Sequence, residues 1–237
     1  MDFDRRVLLK DFSHDVKASS RIPGGIGFRS GIVTFAVALA LSSGIAVWVA
    51  QLPRVVASEE TSSLAQFAVV LVSIILTISL VAHTAPGFVS STLDECTMPR
   101  IGRSRLLAWS VLSVIAGGGF GYLGMSLGGG HSSPGLSEAT GGLGWLAAIG
   151  MNLFLTPFFE ELLFRGVLFS ALRERLSFFL ASLLSAVAFG LVHLAPTAES
   201  IVLIGAALWF SFSFESSKSL LPCVIGHAAM NCMYGLT

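Results

Sequence analysis

Two adjacent glutamates stand in an otherwise apolar stretch, Phe158-Phe159-Glu160-Glu161-Leu162-Leu163-Phe164-Arg165-Gly166. Charged groups inside an apolar segment are costly unless paired, and they are candidates for function. On a helix Glu161 and Arg165 lie four apart and share a face, so they can pair. Glu160 is turned about 100° from Glu161 and is free for other work. A carboxylate left without a partner in low dielectric can accept a proton near neutral pH, as a general base must. The competing reading is an ion-paired knot that only ties helices together.

Two further polar stations lie in apolar sequence. His193 follows Phe189-Gly190-Leu191-Val192. His227 and Asn231 stand four apart in Gly226-His227-Ala228-Ala229-Met230-Asn231 and share a helical face. A lone buried histidine is usually a satisfied core residue. Two histidines, an amide and the Glu-Glu-Arg group on three separate helices provide more: a base, proton carriers, and donors for a developing oxyanion. The remaining polar residues are read more plainly. His83 is expected at a membrane interface, while His14 and His131 flank apolar segments. Asn152 and Thr156 are expected to hydrogen-bond within the bundle, and Glu138 to be solvated in a loop. Trp48, Trp109, Trp145 and Trp209 read as interface or packing aromatics. Cys96, Cys223 and Cys232 are too few and scattered for a disulfide framework. Cys223 and Cys232 have no evident base partner, so a thiol nucleophile is not favoured.

The elements that must position these groups follow from composition. The 237 residues are 54% hydrophobic and 12% charged, with a mean hydropathy of +0.81. A soluble domain carries roughly 25% charged residues, and one core of ordinary size cannot hide this much apolar surface. A soluble enzyme, a disordered tail and a nucleic-acid binder are excluded. The 14 basic and 14 acidic residues leave no net field for polyanions. A spanning helix needs roughly 20 apolar residues. The uncharged or nearly uncharged stretches are 31–51, 64–89, 106–131, 143–159 continuing into 162–172, 177–196, 200–214 and 219–236. The expected fold is all-α, a polytopic transmembrane helical bundle of seven or eight spans. The eighth arises if Pro157 splits the fourth segment. The stretch 200–214 is expected to be short, tilted or incomplete. Gly117, Gly121 and Gly124, within the glycine-rich run 117–130, allow a close helix approach. No Lys-Ser or Lys-Thr follows that run, so it does not read as a phosphate loop.

Basic residues in short loops set orientation. Arg5, Arg6, Lys10, Lys17, Arg21 and Arg29 in the N-terminal arm, Arg100, Arg103 and Arg105, then Arg173 and Arg175, and then Lys218 fall on alternate loops. The intervening loops hold Arg54 beside Glu59, Glu60, Glu138 and Glu199. The N-terminus is therefore expected in the cytoplasm. The arm, residues 1–30, lacks the layout of a signal peptide and is expected to be a solvated or membrane-surface segment.

The order Glu160-Glu161-x-x-x-Arg165, Phe189-x-x-x-His193, His227-x-x-x-Asn231 resembles the CPBP family, the CAAX proteases and bacteriocin-processing enzymes also called ABI proteins. The resemblance covers residues 143 to the C-terminus and divides the chain into a cytoplasmic basic arm (1–30), membrane helices (31–142) and a catalytic membrane core (143–237). It implies an intramembrane endopeptidase in which Glu160 activates a water that attacks a peptide carbonyl. His193 would hold that water or move protons, His227 and Asn231 would bind the oxyanion, and Arg165 would orient Glu161. It implies no certain cofactor. Zinc on Glu160, His193 and His227 is the alternative, although the His-Glu-x-x-His motif is absent. The expected substrate is a membrane-associated or lipidated peptide or protein, met in the lipid bilayer of a prokaryotic cell membrane. Because Arg173 and Arg175 follow closely on Arg165, the hydrated cavity is expected to open towards the cytoplasm. Two other readings use the same residues: a non-proteolytic immunity or scaffold protein, and a transporter or proton relay. Transport is disfavoured because no internal repeat is found.

Overall fold

The structure is a computed structural model that describes residues 27–50, 59–84, 102–128, 142–193 and 197–235. Most of the arm, with His14, Arg54, Cys96, His131 and Glu138, lies outside the described residues, and so does the side chain of Trp48. Every element described is helical, and no strand occurs among the described residues. We number the helices α1 (Phe28–Ala50), α2 (Glu59–Thr84), α3 (Arg103–Gly128), α4, α5 (Phe178–Val192), α6 (Thr197–Ser217) and α7 (Leu221–Gly235). α4 is a continuous run from Gly142 to Arg173 with π-helical turns at Met151–Leu155 and Leu162–Phe169.

The all-α class holds. Among the described residues three helices are long and apolar enough to cross a membrane: Arg103–Leu127, Trp145–Arg173 and Ala198–Ser217. Shorter apolar helices run over Phe28–Ser43, Val70–Thr84, Phe178–Val192 and Leu221–Met233. The sixth segment is a correction: it is a full helix of 21 residues rather than a short or incomplete one. Its polar groups interrupt the apolar pattern in sequence, but the bundle satisfies them. Ser211 Oγ bonds back to the Ala207 carbonyl, Ser213 meets Ser113 at 2.9 Å, and Glu215 pairs with Arg173. Pro157 does not split α4. The π turn just before it already breaks the ordinary i−4 register, which relieves the ring clash that makes proline a breaker. α1 begins at Phe28, so the last residues assigned to the arm are already helical.

Small residues set the helix spacing. A Cβ on Gly117 would collide with the Gly226 carbonyl, and one on Gly121 would stand 2.7 Å from the Met230 carbonyl. The glycine run of α3 thus lets α7 approach backbone to backbone, as expected. α3 also packs on α6, and α5 lies against α6 and the second π turn of α4. Leu163, Val167, Phe169, Phe189, Ala206 and Phe210 form the centre of the core, each almost fully buried. Val33, Ile115, Leu107, Phe179 and Ile201 project outward with most of their surface exposed. Water would not tolerate so broad an apolar exterior; acyl chains would.

Candidate active site

α4, α5, α6 and α7 bring the three motifs to one place. Every residue of the π turn Leu162–Phe169 is buried, so Arg165 projects into the core with a side-chain exposure of 1%. Its Nη1 donates to Glu161 Oε1 at 3.0 Å, the pair anticipated from their spacing. Its Nη2 donates to the Ala207 carbonyl of α6 at 3.2 Å. The guanidinium also faces the rings of Phe189 and Phe210, 5.0 and 5.4 Å from their centroids. Glu161 is fully buried, and its Oε1 lies 2.8 Å from His227 Nδ1. Phe210 stacks on the His227 ring while Phe189 meets it edge-on.

Glu160 sits outside that knot. Its Oε2 lies 3.6 Å from His227 Nε2 and 3.7 Å from His193 Nε2, too far for direct hydrogen bonds. No protein group hydrogen-bonds to that buried oxygen. The ring protons follow from the partners. His193 Nδ1 is 2.8 Å from the Phe189 carbonyl, which can only accept. Glu161 Oε1, which already accepts from Arg165, is the acceptor for His227 as well. The Nδ1 atoms therefore carry the hydrogens, and in each neutral ring Nε2 turns a lone pair towards Glu160. Three acceptors converge on one small volume. A spacing near 3.6 Å between acceptors calls for a donor between them, and a water molecule has the right chemistry.

Asn231 is placed differently. Its Nδ2 donates to the Asn152 carbonyl at 3.0 Å, on the first π turn of α4. The backbone explains why that carbonyl is available. In this turn Thr156 N–H bonds to the Met151 carbonyl, five residues back. The next such bond would run from residue 157 to Asn152, but Pro157 has no N–H. Asn231 supplies the missing donor, while Asn152 uses its own Nδ2 on the Ala148 carbonyl, 3.0 Å away. The second π turn is served in the same way: Ser185 Oγ of α5 donates to the Phe164 carbonyl and Ser170 Oγ to that of Arg165.

The structure thus gathers Glu160, Glu161, Arg165, His193 and His227, and holds Asn231 about one turn along α7 from His227, on the Asn152 carbonyl. Sequence reasoning missed the two aromatic plates, the Ala207 carbonyl and the π turns. The proline and the glutamates would have hinted at irregular backbone; nothing marked Phe189 or Phe210 beyond their place in or near the motifs. His83 is exposed in the last turn of α2, where an interfacial residue belongs. Trp109 packs against Trp209 and Phe212. Cys223 is buried, donating to the Phe210 carbonyl, and takes no part in the cluster. Among the described residues no group of three or more His, Cys, Asp or Glu is disposed to hold a metal ion, so the zinc set Glu160, His193 and His227 gains no support from the geometry.

Comparison with known proteins gives a consistent result. The family model described as "Type II CAAX prenyl endopeptidase Rce1-like" matches residues 142–233, the segment that holds all three motifs. A Bacillus subtilis protein named "Putative membrane peptidase YdiL" is 35% identical over 75 residues. That stretch is 32% of this chain and 30% of the relative, so the chain spans less than a third of the curated protein it matches. No solved structure matches at the same stringency.

Proposed function

From the premise that residues 142–233 are a CPBP-family membrane-peptidase segment, we propose that this chain hydrolyses peptide bonds within the bilayer by glutamate-activated water. Glu160 Oε2, buried and without a protein partner between two imidazole Nε2 atoms, is the observation that carries the reading. In the proposed step Glu160 takes a proton from water as the oxygen bonds to the peptide carbonyl carbon. The proton then passes to the leaving nitrogen as the C–N bond breaks. His193 holds the water through its Nε2 lone pair. His227 serves the oxyanion as imidazolium, with its Nε2 proton drawn from bulk water before the attack and kept through the step, together with the second amide N–H of Asn231. Arg165 and Glu161 act through His227, fixing its ring by the Nδ1 bond. Residues 143–237 form the catalytic core, which the match over 142–233 supports, and the helices before it brace that core.

The proposed setting is a multi-pass protein of the cell membrane with a cytoplasmic N-terminus. Contacts support the alternation of charge. Phe28 N–H bonds to Glu174 in the α4–α5 turn, Arg175 lies over the Phe28 ring, and Arg173 and Lys218 share Glu215. Three stretches expected on one side thus meet at one end of the bundle. The seven-span count, with all seven helices crossing, rests on the same alternation.

Purified protein incubated with membrane-tethered peptides tests the chemistry, with Glu160→Ala as the control. Cleavage that survives the substitution would show that another group is the base. The reaction is proposed to run on side chains alone, so full activity is expected after chelation and metal analysis. Loss on chelation with recovery on zinc would overturn that part. A Glu160-dependent ion flux in proteoliposomes without proteolysis would favour the relay.

A further inference from the structure

Which face of the membrane the site serves follows from where the helices end. α3 runs antiparallel to α6, since Ser113 meets Ser213 while Phe120 lies against Gly205. Arg103 and Arg105 therefore join Arg173, Arg175 and Lys218 at one end of the bundle, which the charge rule assigns to the cytoplasm. Glu160 precedes Arg173 by thirteen residues of helix, eight of them in the π-helical stretch with its smaller rise, so it stands somewhat less than about 20 Å from that end. His193 caps the far end of α5, a helix of 15 residues that starts beside the Arg173–Arg175 turn and rises about 22 Å. With a hydrocarbon layer roughly 30 Å thick, the cluster lies in the half remote from the basic loops.

The packing points the same way. Between Glu160 and the basic end the interior is closed: Leu162–Phe169 is buried throughout, and so are Phe189, Phe210, Cys223 and His227. On the other side of Glu160 the described residues are less tightly closed, although Ala148, Pro157, Leu203 and Met230 are buried there too. His193 keeps 29% of its side chain exposed and Glu160 keeps 20%, against none for Glu161. The cavity opening towards the cytoplasm, expected from the closeness of Arg173 and Arg175 to Arg165, is thus not what the packing provides. That expectation took nearness in sequence for an opening, whereas the seven residues between Arg165 and Arg173 are all buried and belong to the plug.

We propose that water and substrate reach Glu160 from the end of the bundle opposite the basic loops. The substrates are then membrane-anchored polypeptides whose cleaved bond lies in the non-cytoplasmic half of the bilayer or just beyond it. This deepens the protease reading and rests on it for the substrate, while the direction of access stands apart from catalysis.

Cysteine accessibility separates the two. Cys96 and Cys232 are replaced by serine, and single cysteines are placed at Arg175, Ala198 and His193 in the full chain, held in a bacterial inner membrane. A membrane-impermeant sulfonated maleimide is applied before and after permeabilisation. R175C is expected to label at least ten-fold more after permeabilisation, and A198C and H193C equally in intact cells. A198C labelled only after permeabilisation would invert the orientation and overturn the proposal. H193C unlabelled from outside, with A198C labelled, would overturn the open end. Failure of the hydrolytic reading would instead appear as a lack of cleavage with this labelling pattern intact. Anchored reporters complete the test: a cleavable stretch on the non-cytoplasmic side is expected to be cut at least ten-fold faster than the same stretch on the cytoplasmic side. The reverse preference would overturn the substrate class.

Discussion

Glu161 and Glu160 are neighbours in the chain, yet the regions around them are built in opposite ways. Glu161 lies in a closed region: one oxygen takes Arg165 and His227, aromatic rings cover the ion pair on two sides, and neither charged side chain reaches the exterior. Glu160 lies in a more open region: its side chain is 20% exposed, His193 beside it is 29% exposed, and its Oε2 has no hydrogen-bond donor within reach among the described residues. The ion-paired knot that competes with catalysis therefore describes Glu161 well and Glu160 not at all. One enclosed, ion-paired region holds His227 still, and the more open one next to it is free to act on something else.

The largest effect expected is on rate. Glu160→Gln keeps size and removes the base, so turnover of a tethered peptide should fall by roughly 10²–10⁴-fold. Stability should hardly move, since Glu160 Oε2 has no protein partner to lose. A thermal midpoint in detergent that shifts by under about 3 °C fits a change below about 1 kcal/mol in a chain of this size. A variant that unfolds would erase the contrast between the two carboxylates.

Arg165→Met is the converse. It leaves Glu161 buried with His227 alone, and breaking one side of a buried pair costs about 3–5 kcal/mol. Loss of folded protein, followed by denaturant midpoint or protease resistance, is the expected outcome. The double variant Arg165→Met with Glu161→Leu removes both charges and should recover much of the stability but none of the ordering of His227. A recovered, active double variant would show that the knot has no part in positioning.

Much of this contrast was legible in the residues. The pairing of Glu161 with Arg165 follows from a spacing of four, which survives even though a π turn intervenes. The glycine contacts followed from small residues at helical intervals. The grouping of Glu160, His193 and His227 was suggested by polar residues on three apolar helices, and their roles entered through the family resemblance, because no local rule links positions 33 and 67 residues apart. The length of α6 was misread because the charges of Glu199 and Glu215 bound the apolar stretch at 200–214, while the helix runs past both and Glu215 pairs with Arg173. The tie from Asn231 to Asn152 was illegible for a related reason. It depends on a backbone carbonyl, and carbonyls have no letters in a sequence.

The two regions are coupled through α7, and Gly226 is the place to test it. A Cβ there would stand 2.6 Å from the Ser113 carbonyl and 2.9 Å from Phe210 Cε1. Gly226→Ala should force α7 from α3, at an overpacking cost of about 1–3 kcal/mol. His227 is the next residue, so its ring should move off Glu161 and away from Glu160. Activity is then expected to fall by more than the loss of folded protein explains, measured as turnover per folded molecule. Turnover that tracks only the folded fraction would confine the damage to packing.

The smallest effect is the most discriminating. Removing the Asn231 side chain by Asn231→Ala leaves the Asn152 carbonyl without a donor, worth about 0.6 kcal/mol by the average for hydrogen bonds between membrane helices. Pro157→Ala restores an N–H five residues on from Asn152, so in that background the same substitution should cost almost nothing in stability. The cycle isolates the structural part of Asn231. If its second N–H also serves the oxyanion, turnover should stay depressed in the double variant although the midpoint has recovered. Recovery of both together would make Asn231 a helix tie alone and leave His227 as the single donor on α7.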